Sequence, residues 1–255
     1  MGRTIVIANQ KGGVGKTTTA INLSTCLAEK GFRVLMIDED PQGNASSGLG
    51  IDKSAVEASV YQVLLGTVPA SEAIIETEYP NLFVLPSSMD LAAAEVELVN
   101  IPNRERMLKI AIDEIRDLYD YIIIDSPPSL GLITLNALAA SDEVLVPIQC
   151  EFYALEGLSQ LVKTINLVKK RINPKLKIEG VVLTMYDGRT NLSAQVVQEV
   201  IRFFPEKVHQ VIIPRNVRLG EAPSFGVPIT KYDSKCAGAV SYRKLADEIA
   251  GGKKA

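Results

Sequence analysis

Near the start of the chain, Lys11-Gly12-Gly13-Val14-Gly15-Lys16-Thr17-Thr18 combines glycine, lysine and hydroxyl groups at a spacing suited to holding phosphate. Glycines let backbone N–H groups converge on phosphate oxygens, and a helix opening at the end of the loop adds its positive dipole. Lys16 is then placed to reach the β- and γ-phosphates of a nucleotide, and the Thr17 hydroxyl to ligate Mg2+. The loop departs from the plain GxxxxGK[ST] form. Its first glycine would fall at position 10, which is Gln10, and Lys11 is an additional lysine.

Carboxylates complete such a site. In Met36-Ile37-Asp38-Glu39-Asp40-Pro41-Gln42 two aspartates stand two residues apart, so at the end of a strand they can point the same way. A second apolar run ends Ile122-Ile123-Ile124-Asp125-Ser126-Pro127-Pro128. A strand delivering one aspartate beside a phosphate loop holds Mg2+ through water, the role expected of Asp125. Pro127 and Pro128 stiffen the segment that follows, and Gly131 lets it move. Glu39 adds a negative charge close to the phosphates that the pattern does not account for.

These residues need strands and helices to carry them. Apolar runs predict strands over 3–9, 33–38, 82–86, 121–125, 143–148, 178–184 and 210–214. Helical patterns lie over 16–30 and near 90–98, 103–119, 131–140, 154–171, 193–204 and 237–250. The stripe Leu155, Leu158, Leu161, Val162, Ile165 and Val168 has helical spacing and suits a helix covering a sheet. Runs such as Tyr121-Ile122-Ile123-Ile124 are apolar throughout, as strands buried on both faces are. The expected fold is α/β: one domain over 1–255, with a mostly parallel twisted sheet, helices on both faces and a frayed tail at 251–255.

Composition narrows the function classes. There is no Trp, which disfavours a base-stacking surface, and the three cysteines form no CxxC pair. No signal peptide and no bilayer-length apolar stretch is visible, so a cytoplasmic, non-membrane protein is expected. The only histidine, His209, adjoins the apolar run Val211-Ile212-Ile213 and reads as a strand-edge residue. The net charge of −3 conceals an asymmetry. Residues 1–162 carry 10 Lys+Arg and 22 Asp+Glu, whereas residues 163–255 carry 17 and 8. A basic C-terminal part is suited to a polyanion.

The loop KGGVGKTT resembles the deviant Walker A motif of the ParA/MinD superfamily of P-loop ATPases. The stretches DPQGNASSGLG, IIIDSPPSLGLITLNAL, PIQCEFYALEGL and IPRNVRLGEAPS are similar to those of chromosomal, Soj-type ParA proteins. The resemblance implies an ATP-dependent sandwich dimer in which Lys11 reaches the partner's nucleotide. Gly12 then lies where two loops face each other. It implies that Asp40 positions the attacking water, with Asp38 supporting it near Mg2+, and that Pro214 and Asn216 border the adenine, with Met185 a weaker candidate. It implies non-specific binding of double-stranded DNA through Arg189 and Arg218, and a ParB/Spo0J-type centromere-binding partner that stimulates hydrolysis. The protein would then be nucleoid-associated. Gly220 replaces the serine usual in Leu-Ser-Glu-Ala-Pro-Ser.

Rival readings fit less well. MinD-type ATPases end in an amphipathic membrane helix, but Ala246–Lys254 is short of apolar bulk. Iron-sulfur carriers with this loop need cysteines near the dimer axis, and none follows Asp125 in the switch. Tyrosine kinases with this loop carry a C-terminal tyrosine cluster, which is absent. A non-hydrolysing nucleotide switch would not need Asp40. The chain starts just before its first strand, so the N-terminal helix-turn-helix of larger plasmid ParA proteins is not expected.

Overall fold

β1 (Arg3–Ile7) runs through the middle of an eight-stranded sheet and ends at the phosphate loop. The other strands are β2 (Val34–Asp38), β3 (Ile75–Glu76), β4 (Leu82–Leu85), β5 (Tyr121–Asp125), β6 (Glu143–Gln149), β7 (Lys177–Tyr186) and β8 (Val208–Pro214). Their order across the sheet is β3-β4-β2-β5-β1-β6-β7-β8. Neighbours are parallel except for β3, which pairs antiparallel with β4. The computed structural model describes residues 2–152 and 156–251, so Leu155 and the expected frayed tail beyond Gly251 lie outside the described residues.

Strand alternation divides the apolar side chains between two cores. Ile5 and Ile7, Val34 and Met36, and Tyr121 and Ile123 pack on one face of the sheet. Val6, Leu35, Ile37, Ile122 and Ile124 pack on the other. The first face is covered by α1 (Lys16–Glu29) and the helix Ala237–Gly251; the second by the helices Leu91–Glu97, Leu132–Ala140, Glu156–Arg171 and Asn191–Phe203. Uniformly apolar strands are therefore what this sheet requires, each buried Ile or Leu contributing about 1.5–3 kcal/mol. Of the expected stripe, Leu158, Leu161, Ile165 and Val168 are buried and Val162 is partly buried.

From β1 the chain crosses to β2 on one side, while β6, β7 and β8 extend the sheet on the other. The crevice at the carboxyl ends of the strands, where the order reverses, is where open α/β sheets bind ligands. All the candidate nucleotide residues lie at that end.

The region 103–119 differs from the single helix its periodicity predicts. It folds as a 3-10 turn (Arg104–Arg106), a helix (Met107–Asp113) and a second 3-10 turn (Arg116–Leu118). Asn136 takes the Leu108 N–H on its side-chain oxygen and donates to the Arg104 carbonyl. The Arg116 guanidinium donates to the Gly2 carbonyl and to Asp142. The Asn136 bonds thus engage backbone groups of this segment, and the Arg116 bonds anchor its end.

At the outer edge, Glu248 caps β8. It accepts hydrogen bonds from the Gln210 and Val211 N–H groups and meets His209 Nδ1 at 2.8 Å. His209 Nε2 lies 2.7 Å from Glu179. Burial alone would lower the histidine pKa, but the two carboxylates raise it overall. His209 is thus the strand-edge residue expected, and the capped N–H groups blunt an edge open to further pairing. The cysteines are free thiols, and burial pushes Cys26 up to about 12 and Cys150 up to about 11. No helix among the described residues is long and apolar enough to cross a membrane.

Candidate functional site

The phosphate loop turns tightly because Gly13 and Gly15 adopt φ of 76° and 89°, where a side chain would be strained. Gly15 leads directly into α1, so the first N–H groups of that helix face the loop's concavity. The loop is held from both sides. Thr184 at the end of β7 donates its hydroxyl to the Val14 carbonyl at 2.8 Å. Asn9 bridges from the Pro147 carbonyl to the Lys11 N–H.

The two lysines occupy different environments. Lys16 is buried, 7% exposed, and its Nζ points back to the Lys11 carbonyl at 3.4 Å. Burial lowers its pKa, and Asp125 and Asp40 pull it part of the way back. Lys11 is partly exposed, and its Nζ lies 3.4 Å from Glu151, outside the cradle. A Cβ added at Gly12 would meet nothing within 4 Å, so that bare position faces open space.

Asp38 and Asp125 are register partners at the ends of β2 and β5, and both are fully buried. Asp38 accepts hydrogen bonds from the Ser46 N–H and hydroxyl, each at 2.7 Å, and from the Asp40 N–H at 3.2 Å. It thereby fixes the turn that carries Asp40. Neither Asp125 oxygen has a hydrogen bond of normal length. Burial and the repulsion of Asp38 raise the Asp125 pKa; Thr17 and Lys16 oppose this. Two orphaned buried oxygens beside the Thr17 hydroxyl are a donor set that fits Mg2+. Magnesium is held by one or two protein oxygens together with phosphate and water. No cluster of three or more His, Cys, Asp or Glu that could hold a metal occurs among the described residues. Asp40 is partly exposed and lies within electrostatic reach of Lys16 and Asp125.

Glu39 is buried between these aspartates, and neither of its oxygens finds a partner. Burial first, then Asp38 and Asp125, raise its pKa well above the usual range. The shift favours its neutral form, which works against the extra negative charge expected near the phosphates. Its raised folded pKa means that the folded state keeps a proton the unfolded chain has lost. Stability is full below the unfolded carboxyl range and is lost as pH rises toward the folded value. Glu39→Leu should raise the stability of the nucleotide-free chain by about 1–3 kcal/mol at pH 8 and by less at pH 4. Thermal denaturation at the two pH values checks this; equal gains would mean that the proton is not held at Glu39.

A cavity of about 210 Å³ opens beside the loop, lined by Gly15 and Thr18 and by Met185, Pro214 and Asn216. The structure thus brings the expected base-side residues to the same cavity as the phosphate loop. It adds residues the sequence did not single out: Thr184, Leu219 and Tyr242. Tyr242 comes from the last helix, and its hydroxyl lies 3.1 Å from Thr19 of α1, an approach no local pattern foretells. Met185 has φ of 52°, the left-handed region that non-glycine residues rarely adopt, at the wall of this cavity.

Arg189 and Arg218 lie outside the cavity on exposed segments following β7 and β8. The basic excess of residues 163–255 is not one patch around them. Lys169, Lys170 and Arg171 close the helix Glu156–Arg171, and Lys175 and Lys177 follow at the opposite, amino-terminal end of β7.

Known proteins share this architecture. The AAA domain family matches residues 2–178. The sporulation initiation inhibitor protein Soj of Bacillus subtilis (strain 168) is 57% identical over 98% of this chain and 99% of its own length. The chromosome partitioning protein ParA of Myxococcus xanthus is 57% identical over 98% of this chain and 88% of its own. A crystal structure of cobyrinic acid a,c-diamide synthase from Mycobacterium smegmatis, with bound ADP and magnesium, superposes with a TM-score of 0.89. It is 40% identical, over 100% of this chain and 96% of that one. With the loop, the paired strand-end aspartates and this full-length similarity, the chain belongs to the Soj/ParA family of chromosome-partitioning proteins with an AAA domain.

Proposed function

We propose that the chain is an ATPase that partitions DNA. It binds ATP with Mg2+, pairs with a second copy as a sandwich dimer, and holds duplex DNA without sequence preference. Hydrolysis to ADP and phosphate, stimulated by a ParB-type centromere-binding protein, releases it. The observation that carries this reading is the division of labour between the two lysines. Lys16 is buried inside the cradle, whereas Lys11 and bare Gly12 face outward from the same loop.

The residues then have distinct tasks. The loop N–H groups and Lys16 bind the phosphates, and Thr18, Pro214 and Asn216 border the nucleoside. Thr17 and Asp125 would hold magnesium, which neutralises charge on the phosphates when bound. Asp38 fixes the turn and Asp40 orients the attacking water. Lys11 of one copy stabilises the charge developing on the nucleotide of the other, as an arginine finger does. Arg189 and Arg218 contact DNA phosphate, and dimerisation doubles those contacts, so ATP sets DNA affinity through avidity.

The test is a DNA mobility shift with ATP, a non-hydrolysable analogue and ADP. Wild-type chain should shift duplex DNA with ATP or the analogue and not with ADP, more weakly as salt rises. Arg189→Glu combined with Arg218→Glu should dimerise with the analogue and shift no DNA. Undiminished binding by that variant would refute the assignment of the two arginines.

A further inference from the structure

Neither arginine assigned to DNA is a bare cation. The Arg189 side chain is 86% exposed, yet its guanidinium is held in a fork by Asp187. Nε donates to Oδ1 at 2.8 Å and Nη2 to Oδ2 at 2.6 Å. The Arg189 N–H donates to the same Oδ1, at 3.1 Å. At the second position Arg218 Nη1 donates to Glu221 Oε2 at 2.9 Å, and Asp233 lies 3.9 Å from Nε. The Tyr232 hydroxyl donates to the same Glu221 oxygen at 3.0 Å, fixing that carboxylate.

A carboxylate two or three residues along the chain thus occupies the guanidinium in both places, where a phosphate would otherwise bind. Such pairing is not universal among surface arginines here, although Arg202 is paired with Glu199 in the same local way. Arg171 is also exposed, and no carboxylate pairs with it among the described residues. The two loops also belong together. The Arg215 N–H donates to the Tyr186 carbonyl at 2.9 Å, joining the segment before Asp187 to the segment before Arg218.

We propose that Asp187 and Glu221 are positioning residues that compete with DNA phosphate for Arg189 and Arg218, so that each guanidinium exchanges a carboxylate for a phosphate as DNA binds. The proposal rests on the reading that these arginines contact DNA. Exposed ion pairs are weak, so the exchange is feasible and its effect on affinity is moderate. A guanidinium already neutralised also adds little to counterion release, so removing the carboxylate steepens the salt dependence.

The experiment is binding of the full-length chain to a fluorescent duplex, read by anisotropy over a salt series with a non-hydrolysable ATP analogue. Asp187→Asn with Glu221→Gln should bind about tenfold more tightly, with a steeper salt slope. Glu72→Gln with Glu114→Gln changes net charge equally at exposed positions away from both arginines, and should move affinity far less. Adding Arg189→Glu and Arg218→Glu to the first variant should abolish the gain. Sedimentation with the analogue should show all variants dimerising alike. Equal gains in the two charge variants would overturn the proposal. So would weaker binding by Asp187→Asn with Glu221→Gln, since the carboxylates would then be presenting the arginines to DNA. Absence of DNA binding by wild-type chain with the analogue would instead sink the underlying reading.

Discussion

Lys11→Ala is expected to lower ATP turnover by about 10³-fold while leaving nucleotide affinity nearly unchanged. The size follows from its proposed role, because a cation supplied in trans to a phosphoryl group in flight is worth about 10³–10⁵ in rate. Affinity is spared because Lys11 Nζ points to Glu151 and not into the cradle of its own chain. Lys16→Ala should behave differently, losing nucleotide binding itself, since Lys16 is the buried lysine of the loop. Turnover of Lys11→Ala measured with saturating ATP, beside nucleotide binding by fluorescence, separates the two. Activity within tenfold of wild type would remove Lys11 from the transition state.

Asp40→Ala should be nearly as severe, lowering phosphate release by about 10²–10⁴-fold, the range for loss of a group that orients or activates a nucleophile. Asp40 is suited to this because Asp38 fixes its backbone while its own side chain stays partly exposed beside Lys16. The fold is expected to survive, since the Asp38 bonds to Ser46 remain to hold the turn. The variant should therefore still bind ATP and persist on DNA, because it cannot reach the ADP state. Single-turnover phosphate release, with DNA present, checks both halves. An unimpaired rate would favour a nucleotide switch whose hydrolysis does not depend on this carboxylate.

The parts legible in the sequence are those whose chemistry is local. The loop, Lys16, Thr17 and the strand-end aspartates are set by residue type and spacing over a few positions. The structure places them where the strands end. Pro214 and Asn216, proposed to border the base, are legible only through resemblance, because nothing in a strand followed by a turn identifies an adenine neighbour. Tyr242 and Thr184 were not legible at all. They reach the cavity through the last helix and the seventh strand, and only the assembled sheet brings those to the loop.

The misread elements have equally particular causes. Periodicity over 103–119 suggests one helix, but Asn136 takes over the Leu108 N–H and the Arg104 carbonyl from outside, and the Arg116 side chain ties the end of the segment to Gly2 and Asp142. The helix Val60–Leu65 carried a signal in Ser59 and Gln62, a capping box, with Gly66 as its stop. It is short enough for an apolar pattern to pass unnoticed. Strand β3 is two residues long, below what alternation can reveal. Counting charges found a basic C-terminal part correctly, but a count cannot say that several of those lysines lie at the opposite end of the sheet from Arg189 and Arg218. Nor could composition show that Glu39 is buried, with its pKa raised by that burial.

For Lys11 to act in trans, ATP must bring two copies together through the phosphate loop. Sedimentation velocity with ADP, and with a non-hydrolysable ATP analogue and Mg2+, tests this for wild type and Gly12→Val. Within one chain a side chain at position 12 would touch nothing, so any effect of valine must come from outside that chain. Wild type should be monomeric with ADP and dimeric with the analogue, whereas Gly12→Val should bind the analogue and remain monomeric. A wild-type chain that stays monomeric with the analogue, or a Gly12→Val chain that dimerises with it, would contradict the account.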